Sequence, residues 1–433
     1  MTKIQTHHLQ SKLHSFVRHI GVPLTKPERR CLAELIFGIC KRRQPILRQI
    51  ALAIRDRIAL RKTIARFRRH LHKSAWWHRL FTGALPYLGR HFRSSDYVAL
   101  DLSDIQKPSA PTLEGLAHVR DGDTGEIGSG YWWLNVLGIR KDGTTVVPLF
   151  SKLYSFAQGT RSENHEIVSA VHQVAPHVPD DVTWVLDRGG DRERLLRPWL
   201  AADRHFIVRL QRSRTLLYAG HPRTVEVLID RVAYTTTCRT RVVKQHRTVS
   251  RTYRAGAIPV RFPHPTQPDR GLETPLWLVV LENEHEGRSY FLVRSVHTDP
   301  TAVIHHTFRG YGHRWTIEEY HRHVKQQFHL ERIQVQRWAH LQNLVAVLTL
   351  AMAYLYGALD AWHQRLLVAS EVPILDAYRL RELLGFCYYK VAEVIRWFFA
   401  GHTIRMFHPA NMTESRPPGQ LELEGFIGKS GGC

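Results

Sequence analysis

A mixed α/β sheet set between two helical regions is the fold class this sequence predicts. Three observations predict it. Residues 1 to about 90 carry apolar residues at helical spacing among many cations. From Tyr97 to Leu210, apolar runs come first as three strands and then in alternation with helical stretches, the pattern of a mixed sheet. Helical periodicity returns near Thr301 and runs to about Phe399, after a β-rich interruption.

The first segment opens with Thr25-Lys-Pro-Glu28, the pattern of a capping box with proline in the first turn. The helix it starts carries Leu32, Leu35, Ile36 and Ile39 on one side. Lys41-Arg-Arg-Gln-Pro45 breaks it, and a second helix follows with Ile46, Leu47 and Ile50. Arg55, Arg57, Arg61, Lys62, Arg66, Arg68 and Arg69 then crowd among apolar residues, as phosphate-contacting helices require. An ordinary bundle with a charged exterior fits the same residues.

Tyr97-Val-Ala-Leu-Asp101 reads as a strand closing on a carboxylate. Tyr131 to Ile139 and Thr144 to Leu153 are the next strands, joined by a turn at Lys141-Asp-Gly143. A helix capped at Thr160 or Ser162 carries Ile167, Val171 and Val174. Val182 to Asp187 is a strand ending on a second carboxylate, and Asp191 is placed to cap the helix with Leu195, Leu196 and Trp199. His205 to Leu210 is the fifth strand.

Residues 211–300 read as a β-rich insertion, with strands expected at Thr224–Ile229, Arg231–Thr237, Ala257–Phe262, Leu276–Leu281 and Tyr290–Val293. The expected units are therefore 1–90 (helical, basic, DNA-binding), 91–210 (sheet core, first part), 211–300 (insertion), 301–345 (last helix of the core) and 346–433 (helical, with a disordered tail from Pro409).

Charge narrows the partner. The chain of 433 residues has 61 Lys+Arg against 38 Asp+Glu, a net charge of +23. Such a surface attracts polyanions, nucleic acid first and an acidic membrane second. No Cys-x-x-Cys pair occurs among the five cysteines, so neither a zinc ribbon nor a disulfide framework is expected. The N-terminus lacks an apolar signal pattern, and the run Leu344 to Leu359 is short for a membrane span. A soluble, cytoplasmic protein with no membrane partner is the expectation.

The chemistry gathers in Tyr311-Gly-His-Arg314-Trp-Thr-Ile-Glu318-Glu-Tyr-His-Arg-His-Val-Lys325. At about 100° per residue, Tyr311, Arg314, Glu318 and Lys325 share one stripe of a helix. Ile317, Tyr320, Val324 and Phe328 share another, roughly 110° away, suited to packing. Asp101 and Asp187 at strand ends, with Glu318 from a helix across that edge, would bring three acids together; Asp104 is the rival to Asp101. Three acids need a cation between them. Mg²⁺ or Mn²⁺ takes such oxygen ligands, and two ions about 3.5–4 Å apart serve in-line displacement at phosphorus. Alone, each acid has a plainer role: Asp101 in a turn, Asp187 as a helix cap, Glu318 in an i, i+4 pair with Arg314.

Tyr311-x₂-Arg314-x₃-Glu318-x₆-Lys325 resembles the Tyr-Arg-Glu-Lys motif of DDE transposases in the insertion-sequence-four family. Leu-Asp101-Leu-Ser103 and Val-Leu-Asp187-Arg-Gly resemble its two catalytic Asp segments, in the right order. The resemblance covers about residues 20 to 360 and implies an RNase H-like core. It implies cut-and-paste movement of an element with terminal inverted repeats, Mg²⁺ dependence, and a homodimer on DNA. Asp101, Asp187 and Glu318 would then be the catalytic metal ligands, and Tyr311, Arg314 and Lys325 the contacts to DNA phosphates. Some members stack an aromatic from the insertion on a flipped base, for which Tyr290 is the candidate, with Phe291 beside it and a core role for both as the alternative. An inactive DNA-binding relative, or a nuclease that cuts without joining, fits the same residues.

Overall fold

The computed structural model describes residues 3–357 and 388–400, apart from 121, 123, 245–246 and 268–269. The expected tail from Pro409 lies outside the described residues. Five helices build the N-terminal part: α1 (Lys3–Ile20), α2 (Lys26–Arg42), α3 (Leu47–Ile54), α4 (Leu60–Leu71) and α5 (Trp76–Gly89). The capping box at the start of α2 is present. Thr25 donates from its backbone N–H and its hydroxyl to Glu28 Oε2, at 2.8 and 3.0 Å. Leu32, Leu35, Ile36 and Ile39 are all fully buried.

Glu28 does more than cap. Fully buried, it also pairs with Lys73 at 2.7 Å and Arg79 at 2.6 Å, tying α2 to α5 and to the turn before it. Burial alone would raise its carboxyl, but the bonds from Arg79, Lys73 and Thr25 override that and bring it down to about 2. The folded value lies below the unfolded one, so this stabilisation is present above pH ~4.3 and is lost as pH falls towards 2. Both cations are about 40% exposed, which screens the interaction. Glu28→Gln is therefore expected to cost on the order of 2 kcal/mol at pH 7. In urea titrations the gap to wild type should narrow by pH 3; a gap unchanged between the two pH values would refute the assignment.

The central sheet begins with β1 (Tyr97–Gln106), β2 (Ala117–Arg120), β3 (Ile127–Ile139) and β4 (Val146–Tyr154). It continues through α6 (Glu163–Val174), β5 (Thr183–Leu186), α7 (Glu193–Ala201) and β6 (His205–Arg209). Of the two expected caps, Ser162 caps α6, accepting from the His165 N–H. Gly143, at φ +71°, supplies the left-handed turn between β3 and β4. The core strands run β4-β3-β1-β5-β6. β4–β3 and β3–β1 pair antiparallel, β1–β5 and β5–β6 parallel. That order and those senses are the RNase H-like arrangement.

The insertion contributes β7 (Thr215–Tyr218), β8 (His221–Thr224), α8 (Val225–Ile229), β9 (Thr236–Lys244), β10 (Arg247–Val260), β11 (Leu276–Asn283) and β12 (Gly287–Arg294). It does not stand apart: β12 pairs with β6, and β11, β10 and β9 carry the same sheet outward. The strand expected at Thr224–Ile229 is helix α8, because Val225, Leu228 and Ile229 form a buried i, i+3, i+4 stripe while Val227 is exposed. Most of Arg231–Thr237 is irregular, the strand starting only at Thr236. The strand expected over Ala257–Phe262 starts ten residues earlier and stops at Val260. Its first half, Arg-Thr-Val-Ser-Arg-Thr-Tyr-Arg254, is too polar to show as a strand.

Helix α9 (Pro300–Arg322) crosses one face of this sheet, and α10 (Trp338–Gly357) packs on β4 and the N-terminal helices. α11 (Tyr388–Ala400) packs on α2. α10 is long and apolar enough to cross a membrane, yet it is a core helix, 78% buried over its most apolar window. The division expected at 345/346 falls inside α10, because its apolar surface continues unbroken to Tyr356.

Candidate active site

The sheet register sets two of the acids side by side. Asp101 stands in mid-strand, opposite Asn135 of β3, and β1 runs on to Gln106, so the expectation of a strand end there is corrected. The parallel pairing of β1 with β5 matches Tyr97 with Thr183 and Ala99 with Val185. Two residues further along each chain lie Asp101 and Asp187. Continued to these positions, the register sets Asp101 level with Asp187, which lies one residue past the end of β5, and on the same face by the period-two alternation. Tyr97 and Val185 of that face pack against Val303 and Ile304 of α9.

α9 supplies the third acid. Gly310 lets the helix come close, since a Cβ there would lie 2.6 Å from the Tyr97 ring. His306 anchors it by bonding the Tyr97 hydroxyl at 3.2 Å and the Thr183 hydroxyl at 2.9 Å. One and two turns beyond Gly310 come Arg314 and Glu318. Arg314 is nearly buried, its Nη2 bonded to Glu318 Oε1 and its Nη1 3.7 Å from Asp101 Oδ2. Ile317, Tyr320, Val324 and Phe328, the expected packing stripe, are all fully buried.

Burial pushes the Asp101 carboxyl up to about 7; Asp187 and Glu318 push the same way, while Arg314 and the Leu102 N–H oppose them. Asp101 thus feels both other carboxylates. Arg314 is raised: attraction to Tyr311, Glu318 and Asp101 outweighs its burial. Asp187 also does the plainer work of a cap, accepting from the Gly189 N–H at 2.8 Å. Among the described residues, no three His, Cys, Asp or Glu side chains already stand at the spacing of one metal ion. Arg314 spans the gap between Asp101 and Glu318. The donor set is carboxylate oxygen with surplus negative charge, which fits a hard divalent cation.

The other expected residues fall around this centre. Tyr311 packs on Phe291, ring centres 4.6 Å apart, with the Arg314 guanidinium 5.4 Å from its ring. Lys325 does not share the Glu318 stripe as a regular helix would require. The backbone from His323 to Gln327 is a π-turn, which changes the phase, and Lys325 meets the buried Asp104 at 3.1 Å. Asp104 is thereby engaged, and Asp101 is the aspartate beside Asp187. Asp191 does not cap α7; it is buried and accepts from the Gln211 N–H and Arg214 Nε.

Tyr290 is buried in the sheet, 6% exposed, with its hydroxyl taking a bond from Arg212 Nε at 3.1 Å. Its ring offers no open face to a base, so the stacking expectation does not carry over to it. The open aromatic near the acids is Trp315, 57% exposed and 5.6 Å from the Arg314 guanidinium. Sequence reasoning passed over it because it lies inside the motif and has no partner at a telling spacing. Trp315 lines a groove of about 1340 Å³ that runs between α9 and strands β9 to β12, with Arg209, Arg239, Arg251 and Arg309 along it.

Residues 147–355 match the family described as transposase DDE domain. The matched stretch holds Asp187 and Glu318 and starts after Asp101. A solved structure, the synaptic complex of piggyBac transposase with hairpin DNA, aligns over 92% of this chain and 78% of its own, with 9% identity and a TM-score of 0.42. No curated protein matches the chain.

Proposed function

We propose that the chain is a transposase that cuts DNA at the ends of an insertion sequence and joins the freed 3′ ends to target DNA. The observation that carries this is geometric: parallel β1 and β5 lead to Asp101 and Asp187, and Arg314 of α9 is bonded to Glu318 and stands 3.7 Å from Asp101. Two divalent cations, Mg²⁺ or Mn²⁺, would supply activation of the attacking oxygen and stabilisation of the leaving one. Arg314 then exchanges its carboxylate partners for a phosphate, a switch its planar fork suits. Tyr311 and Lys325 hold neighbouring phosphates. The N-terminal helices supply further DNA contacts, in keeping with exposed Arg57, Arg61, Lys62, Arg68 and Arg69, which have no carboxylate partner among the described residues. The working form would be a homodimer on terminal inverted repeats in the bacterial cytosol or nucleoid.

One observation favours a second reading. Arg314 fills the space between Asp101 and Glu318, as it would in a DNA-binding relative that had lost activity. Incubation with a duplex carrying the gene's bordering inverted repeats, a target plasmid and Mg²⁺ separates the readings. Nicked 3′ ends and joined product are expected. Cleaved ends with no joining would indicate a nuclease, and binding without cleavage the inactive relative. Binding should also weaken by about 10³-fold between 50 and 200 mM salt if phosphate contacts dominate; a flat salt response would count against them.

A further inference from the structure

Asp101 in β1 and Asp187 just after β5 involve only two of the three parallel strands β1, β5 and β6. The pairing of β5 with β6 matches Thr183 with His205 and Val185 with Ile207. Continued by two residues, the row reads Asp101, Asp187, Arg209, each on the next strand, roughly 4.8 Å apart backbone to backbone. Arg209 is half-buried and has no ion-pair partner among the described residues. It lines a cavity of about 550 Å³ with Arg188, which follows Asp187, and Arg212. Neither of those is ion-paired among the described residues.

The loop that presents Arg212 is braced. Buried Asp191 accepts from the Gln211 N–H at 2.8 Å and from Arg214 Nε at 2.7 Å, and its carbonyl accepts from Arg214 Nη2 at 3.0 Å. The Tyr290 hydroxyl accepts from Arg212 Nε at 3.1 Å, and both residues line the cavity. Glu226 and Arg288 also line it; Arg288 is paired with Glu282 and Asp230, and Glu226 sets one carboxylate against the three arginines. Three guanidinium groups without an ion-pair partner among the described residues, against one lining carboxylate, leave surplus positive charge beside the residue that follows Asp187, which suits a phosphate group.

We propose that Arg188, Arg209 and Arg212 form a phosphate-binding site that holds a DNA phosphodiester adjacent to the one at the acids, with Tyr290 orienting Arg212. The inference rests on the transposase reading for the identity of the ligand, and on the pocket alone for its chemistry. Each arginine donates to non-bridging phosphate oxygens and fixes how far the strand extends past Asp187.

The test compares wild type with Arg209→Ala, Arg212→Ala, Arg188→Ala, Arg209→Lys and Tyr290→Phe. Two probes are used: a fluorescent 30-base-pair duplex titrated across salt, and inorganic pyrophosphate followed by thermal shift. Arg209→Ala and Arg212→Ala are expected to weaken duplex binding about tenfold. The slope of log affinity against log salt should fall by about 0.7–0.9 for each phosphate no longer neutralised. Arg209→Lys should retain pyrophosphate binding, and Tyr290→Phe should lose about threefold with an unchanged slope, as loss of orientation without loss of charge requires. Arg188 and Arg212 are exposed, so their variants carry the test if Arg209→Ala does not fold. Wild-type affinities and slopes in all three alanine variants would overturn the site, whether or not the protein cuts DNA. Arginine-dependent pyrophosphate binding in a protein that never cleaves DNA would keep the site and remove the transposase reading. Absence of pyrophosphate binding by the wild type would overturn the pocket as an anion site.

Discussion

Glu318→Gln is expected to slow DNA cleavage by about 10³-fold or more, roughly 4 kcal/mol of lost transition-state stabilisation. The amide keeps the shape of the side chain and still accepts from Arg314 Nη2, so the fold should survive. Removing a negative charge beside the proposed phosphate path should leave duplex binding unchanged or slightly tighter. The adjacent Glu319 is a sharp control. It pairs with Arg322 at the surface, so Glu319→Gln should cleave within about twofold of wild type. A gel assay of nicked ends with Mg²⁺ reads both variants, and equal nicking by Glu318→Gln and wild type would remove Glu318 from the site.

Asp101 makes the second large effect a matter of pH. Its folded carboxyl holds a proton up to about 7, whereas the unfolded chain releases it near 3.8. Between those values the folded state binds more protons, so raising the pH favours unfolding. Without divalent metal, the stability assigned to Asp101 should therefore fall from pH ~4 to pH ~7 and level off above, by on the order of 4 kcal/mol at most. A cation that needs the ionised carboxylate reverses this. Mg²⁺ should raise the melting temperature more at pH 8 than at pH 5.5, and Asp101→Asn should remove both the pH slope and most of the Mg²⁺ effect. Calorimetry with and without Mg²⁺ decides it. Mg²⁺ stabilisation independent of pH, or undiminished in Asp101→Asn, would show that the ion binds elsewhere.

Much of the architecture was legible because local signals and tertiary demands agree. The Thr25–Glu28 box, the turn at Gly143, the cap at Ser162 and the short strands ending near Leu186 and Arg209 are each dictated by nearest neighbours. The insertion was harder to read. β9 and the first half of β10 are rich in Arg and Thr, and pair with each other rather than with an apolar core, so period-two hydrophobicity never develops. Val225–Ile229 offered β-branched residues and a helical stripe at once, and burial of Leu228 and Ile229 settled it. Arg209 could have been flagged by the same strand-end logic that found Asp187, had basic residues been sought as well as acids.

By itself the sequence determined which side chains carry the chemistry and in what order: Asp101, Asp187, the Arg314–Glu318 pair and a large excess of cations. These follow from residue type and short spacing, which the chain alone contains. Only the tertiary structure decided their company. Parallel register placed Asp101 level with Asp187 and both in line with Arg209. The π-turn took Lys325 off the helix stripe to Asp104, and sheet burial took Tyr290 from the surface and gave its hydroxyl to Arg212. The physical reason is the same in each case: pairing register, helix phase and burial are set by contacts between segments far apart in the chain, and no local pattern encodes them.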